Sequence, residues 1–145
     1  MKILEFSIFI NAPKETVWEI LFTDRNYPKW ASVFCEGANI VTDWKKGNSV
    51  QFTTPDGQGT FGIIENVIPH KLMAFRHLGV MMNGENLDDE KNSEWENIKE
   101  SYHFKENSGQ TKLILKIDDI PNYTQFFEEK LPLALVRIKE LAEKQ

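Results

Sequence analysis

From Tyr123 to Ala142 apolar side chains recur with a period near 3.6. Tyr123, Phe127, Leu131, Ala134, Leu135, Ile138, Leu141 and Ala142 make one stripe. Between residues 36 and 118 the apolar spacing is that of strands instead. One long amphipathic helix must bury its stripe, and a sheet built from those strands is the available surface. Asn122 with Gln125 has the form of a capping box at the start of this helix. Pro132 lies inside the stripe. It is expected to kink or divide the helix, because it removes one backbone hydrogen bond and crowds the preceding turn.

The strands read as follows. In residues 3–10, Leu4, Phe6, Ile8 and Ile10 share one face, opposite Glu5 and Ser7. Asn11-Ala12-Pro13 ends that strand, and Pro13 suits the first turn of a helix carrying Val17, Trp18, Leu21 and Phe22. Asp24 is placed to cap a second short helix reaching about Trp30. Strands are then expected at 36–43, 48–54, 59–68, 71–79, 97–106 and 110–118. Pro55-Asp56-Gly57 and Asn107-Ser108-Gly109 mark turns. Gly62 inside a strand predicts a bend or bulge, as a curved sheet requires. Residues 81–96 are polar and acidic and read as a long loop. The expected order is β-α-α-β-β-β-β-β-β-α, an α+β fold. About seven antiparallel strands curve around the C-terminal helix in a single domain spanning residues 1–145.

Charge and composition exclude several function classes. The formal net charge is −5, and no Lys/Arg cluster offsets it, so neither nucleic acid nor an anionic membrane is an expected partner. No apolar run approaches the roughly 20 residues of a membrane span, so no membrane insertion is expected. Glu5 interrupts the first apolar run and no small-residue cleavage site follows, which reads as a cytoplasmic chain without a signal peptide. Cys35 is the only cysteine, so no internal disulfide can form. His70, His77 and His103 lack metal-ligand spacing. Asp88-Asp89-Glu90 reads as a solvated charge run. No nucleophile elbow, P-loop or dinucleotide fingerprint is present. No metal and no cofactor are expected.

Alternation also turns some polar groups inward. His77 shares a face with Met73 and Phe75; Glu100 and Tyr102 share one with Phe104. Read blandly, these groups satisfy one another or the backbone inside a core. Read functionally, a few polar groups among apolar walls orient a small molecule, or a carboxylate beside a histidine moves protons.

The order of these segments resembles the helix-grip fold of the START-like, or SRPBCC, superfamily. The nearest resemblance is to the branch named after the activator of the heat-shock protein 90 ATPase. It rests on Asn11-Ala12-Pro13 with Val17-Trp18, on Tyr27 and Trp30, and on Asp43-Trp44 with Gly47. It continues through Ile64 to Pro69, Phe75-Arg76-His77-Leu78-Gly79, Trp95, Glu100, Tyr102, and Thr111 with Leu113.

The resemblance implies a deep cavity between the sheet and the C-terminal helix. Members bind lipids, hormones or polyketide-like molecules, and some catalyse cyclisation or hydrolysis. They share no catalytic motif that could be carried over. The namesake's co-chaperone activity depends on features beyond such a domain and is not implied here. On this reading the cavity is lined from the sheet by Val50, Phe52, Phe61, Phe75, His77, Glu100, Tyr102 and Leu113. Phe127, Leu131 and Ala134 line it from the helix, and Trp95 is a candidate lid.

The expected function is binding of a hydrophobic or amphipathic small molecule. The alternatives are a cyclase- or hydrolase-like enzyme working through His77, Glu100 and Tyr102, and a protein-interaction domain with a filled core. A protein partner therefore stays open, and so does the oligomeric state.

Overall fold

The computed structural model describes residues 2–87 and 94–145. The elements run β1 (Ile3–Ile10), α1 (Lys14–Leu21), α2 (Tyr27–Ala31), β2 (Asn39–Val41), β3 (Ser49–Thr53), β4 (Gly59–Ile68), β5 (Leu72–Met82), β6 (Glu85–Asn86), β7 (Ile98–Asn107), β8 (Gln110–Asp118) and α3 (Thr124–Glu143). All strand pairs are antiparallel, in the spatial order β1-β8-β7-β5-β4-β3-β2, with β6 paired to β5. The fold is thus α+β, a sheet with one long C-terminal helix.

The sheet faces follow from alternation. On β5, Met73, Phe75 and His77 are buried, and on β7 so are Ile98, Tyr102 and Phe104. On β8, Thr111, Leu113, Leu115 and Ile117 are buried, while the other face carries Lys112 and Lys116 with a buried Ile114 between them. The apolar ones share one core with Val17 and Leu21 of α1 and with Phe127, Leu131, Ala134, Leu135 and Ile138 of α3. Each fully buried Leu or Ile here contributes roughly 1.5–3 kcal/mol of transfer free energy.

Curvature comes from two register shifts between β4 and β5, at Phe61/Gly62 and at Ile64/Asn66. Gly62 is required at the first. A Cβ there would lie 2.1 Å from the carbonyl oxygen of Arg76.

Polar ties hold the helices to the sheet. The Thr111 hydroxyl donates to the Ala12 carbonyl at 2.7 Å, just before α1. The Lys139 ammonium donates to the Phe9 carbonyl at 3.0 Å. The Asn11 backbone N–H donates to Glu143 at 2.7 Å, so the end of α3 is fastened to the end of β1.

Several local expectations are corrected. α3 is a single helix through Pro132, so the proline does not divide it. Pro132 and Glu128, whose carbonyl it deprives of an N–H, are both exposed, so water can take the vacant acceptor. Asn122 does not form the capping box; its amide donates to Glu94 at 2.8 Å. Asp24 does not cap α2; it accepts from the Trp44 indole at 3.0 Å. β2 is shorter than expected, because Gly37 at φ 85° closes a turn in which the Ala38 N–H donates to the Cys35 carbonyl.

β5 extends to Met82 and turns through Asn83-Gly84 at φ 53° and 78° into β6, a two-residue strand that was not expected. The start of the expected 81–96 loop is therefore a tight hairpin. The Asp88-Asp89-Glu90 run lies outside the described residues.

Candidate functional site

A cleft of about 540 Å³ opens between α2, the β3–β5 end of the sheet and the first turns of α3. That volume is in the range of small-molecule sites. Its walls are largely aromatic: Tyr27 and Phe34 on one side, Phe52 on β3, Trp95 before β7, and Tyr123, Phe126 and Phe127 at the start of α3.

The polar groups are placed by strand register. Glu100 lies opposite Phe75, Tyr102 opposite Met73 and His77 opposite Ile98. His77 and Glu100 are therefore diagonal neighbours on one face. His77 Nε2 lies 2.8 Å from Glu100 Oε1, and the Tyr102 hydroxyl donates to Glu100 Oε2. On the other side of the imidazole, Nδ1 lies 3.0 Å from the Thr60 hydroxyl. Thr60 stands opposite Phe52 across the β3–β4 pair. The result is a chain Thr60–His77–Glu100–Tyr102 that leaves both ring nitrogens and both carboxylate oxygens engaged.

Rings enclose this chain. The His77 ring centroid is 4.9 Å from that of Phe52 and 5.2 Å from that of Trp95. Trp95 in turn packs on Tyr123 at 5.2 Å and on Phe127 at 6.2 Å. The His77 side chain is 4% exposed and that of Glu100 is 14% exposed.

Two phenols lie beside the carboxylate. Burial first, and then the Glu100 charge, raise the Tyr27 phenol far above its ordinary value. Burial first, then Glu100 and Tyr27, raise Tyr102 in the same sense. Both therefore stay protonated hydroxyls. Tyr102 donates to Glu100, whereas the Tyr27 hydroxyl has no hydrogen-bond partner among the described residues.

The residues read from the sequence divide into three groups. Phe52, His77, Trp95, Glu100, Phe127 and Leu131 line the cleft. Val50, Phe75, Tyr102, Leu113 and Ala134 belong to the packed core. Phe61 lines neither; it pairs with Gln51 while its neighbour Thr60 pairs with Phe52, so it occupies the opposite face.

Thr60 and Tyr27 are site residues that the sequence reading missed, whereas Tyr123, the first residue of the helix stripe, lines the cleft. The Pro55-Asp56-Gly57 turn held the signal for Thr60, because closing the hairpin on it sets Thr53 opposite Gly59 and Phe52 opposite Thr60. Trp30 is fully buried, with its indole N–H donating to the Leu21 carbonyl at 3.3 Å, and belongs to the core. Trp44 packs on Phe22 and Tyr27 at the rim. Among the described residues no group of three or more His, Cys, Asp or Glu side chains is gathered as a metal site would need. No described helix is long and apolar enough to cross a membrane.

The family model of the activator of Hsp90 ATPase homolog 1-like protein matches residues 11–143. No curated protein matches the sequence. Among solved structures, the chain is similar to the Aha1 dimer from Colwellia psychrerythraea, with TM-score 0.76 and 18% identity over 99% of this chain and 97% of that one. It is similar to protein MLL2253 from Mesorhizobium loti, with TM-score 0.77 and 12% identity over 99% and 98% of the two chains. The AHSA1-like protein from Aeromonas hydrophila aligns with TM-score 0.69 and 14% identity over 97% and 93%. At such identities the likeness speaks for the fold.

Proposed function

The chain belongs to the activator of Hsp90 ATPase homolog 1-like family, and from that premise we propose that it binds a hydrophobic or amphipathic small molecule in the cleft beside α3. One observation carries this reading. An aromatic-walled cleft has a short, mutually bonded polar chain at its floor, which is the make-up of a site that buries an apolar body and orients it by a few polar contacts. A ligand burying ~200 Å² of apolar surface gains ~5 kcal/mol from transfer alone, before the costs of association. Polar contacts to the floor add to this.

The test is native mass spectrometry of the purified chain, alone and after incubation with a mixture of apolar ring compounds. One-to-one adducts are expected. Ala38→Phe, which places a ring in the cleft, is expected to abolish them. Failure of any compound to bind, or equal binding by Ala38→Phe, would remove the reading.

An acid–base role for the same floor is supported by the 2.8 Å approach of His77 and Glu100. Both ring nitrogens are engaged, however, so positioning of a ligand is the reading that needs no rearrangement.

A further inference from the structure

We infer that the cleft selects by charge: it takes an apolar ring system bearing a neutral hydroxyl or an ammonium and rejects the same ring system bearing a carboxylate. This deepens the binding reading above and rests on it.

Among the described residues lining the cleft, Glu100 is the acidic side chain and His77 the histidine; none is lysine or arginine. A carboxylate entering such a space gives up water and meets no cation among the described lining residues that replaces it. It also meets Glu100, a charge of its own sign.

His77 does not rescue an anion. Its Nε2 faces Glu100 and its Nδ1 faces Thr60, so neither ring nitrogen has a direction left for a ligand. If the imidazole carries a proton on each nitrogen, Glu100 already balances that charge at 2.8 Å. The imidazole therefore offers an incoming anion no unshared positive group.

The same floor welcomes a donor. A carboxylate has about four acceptor directions. Glu100 spends two of them on His77 and Tyr102, and its side chain is still partly open to the cleft. A ligand hydroxyl or ammonium can donate to it. The unpartnered Tyr27 hydroxyl beside it offers a second contact to a ligand oxygen. Phe52, Trp95, Tyr123 and Phe127 supply faces for the ring and, for an ammonium, attraction to their π-systems.

Three probes that share one ring system decide the matter: 2-naphthylmethanol, 2-naphthylmethylammonium and 2-naphthoate. Binding is followed by two-dimensional NMR of the whole labelled chain, reading the Trp95 indole and the Tyr123 and Phe127 amides. At about 150 mM salt the screening length is about 8 Å, so the net charge of −5 contributes little at a distance.

The alcohol and the ammonium are expected to bind, with the carboxylate weaker by on the order of tenfold or more. In Glu100→Gln the ammonium is expected to lose on the order of tenfold and the alcohol little. The three-way comparison on the unaltered chain decides even if that variant does not fold. Equal binding of 2-naphthoate overturns charge selection and leaves the cleft reading standing. Binding by none of the three overturns both.

Discussion

Glu100 stands opposite Phe75 in the β5–β7 ladder, yet its carboxylate meets His77, two residues farther along β5, at 2.8 Å. The diagonal reach lets a single carboxylate hold the imidazole on one side and the Tyr102 hydroxyl on the other. The group that orients the floor of the cleft is thus itself fixed from two directions by the sheet.

The two residues are expected to be coupled in stability. Removing the imidazole with His77→Ala strips a mostly buried carboxylate of one donor, which costs about 1–3 kcal/mol in addition to lost packing on Phe52 and Trp95. Combining it with Glu100→Gln should cost less than the sum, with a coupling energy of roughly 0.5–3 kcal/mol. Urea denaturation of the two single variants and the double variant measures this. Additive losses would mean that the bond contributes nothing net.

Gly62→Ala is expected to be among the most damaging single-methyl additions in the chain. The new Cβ would sit 2.1 Å from the Arg76 carbonyl oxygen, which is backbone and has no rotamer to yield. Overpacking of this kind costs about 1–3 kcal/mol or more. The β4–β5 pair carries both Thr60 and His77, so the amide shifts of the cleft should move together with the fall in Tm.

The inward faces were legible because most buried strand residues fall on one side, Ile114 on β8 being an exception. Once Phe75 is placed inside, alternation forces His77 inside, and the same holds for Tyr102 and Glu100. The helix stripe was legible for the matching reason. What alternation within a strand does not carry is register between strands. Phe61 and Thr60 are equally consistent with an inward place until Phe52 is paired with one of them. Caps failed similarly. Asn122 and Asp24 have side chains suited to capping, but Glu94 and the Trp44 indole, distant in sequence, take them instead. Tyr27 was visible only as part of a family resemblance, because its place in the cleft depends on how α2 docks, a tertiary fact with no local signature.

Pro132→Ala is expected to stabilise the protein. Proline in a helix interior costs about 3 kcal/mol relative to alanine. Pro132 is exposed and makes no part of the buried stripe, so little packing offsets that cost. A gain of roughly 1–3 kcal/mol in denaturant unfolding is the expected outcome, with ligand affinity unchanged. A neutral or destabilising result would mean that α3 relies on the local geometry which proline imposes, immediately after Leu131 at the cleft wall.

The two buried phenols predict how the fold fails in alkali. Tyr27 and Tyr102 are both raised by burial and by the Glu100 charge. In the unfolded chain they release protons near pH 10. The folded state therefore binds more protons than the unfolded state above that pH, and stability falls as pH rises. Their contribution is intact below about pH 10 and is lost progressively above it. Ultraviolet titration of phenolate should find Tyr27 and Tyr102 silent near pH 10 while the chain stays folded, and ionising only as it opens. Tyr102→Phe removes one of the two raised groups, so stability plotted against pH above 10 should fall less steeply than in the unaltered chain. Full ionisation of all three phenols near pH 10 in the folded protein would show that Tyr27 and Tyr102 are open to water, and that the floor of the cleft is wet.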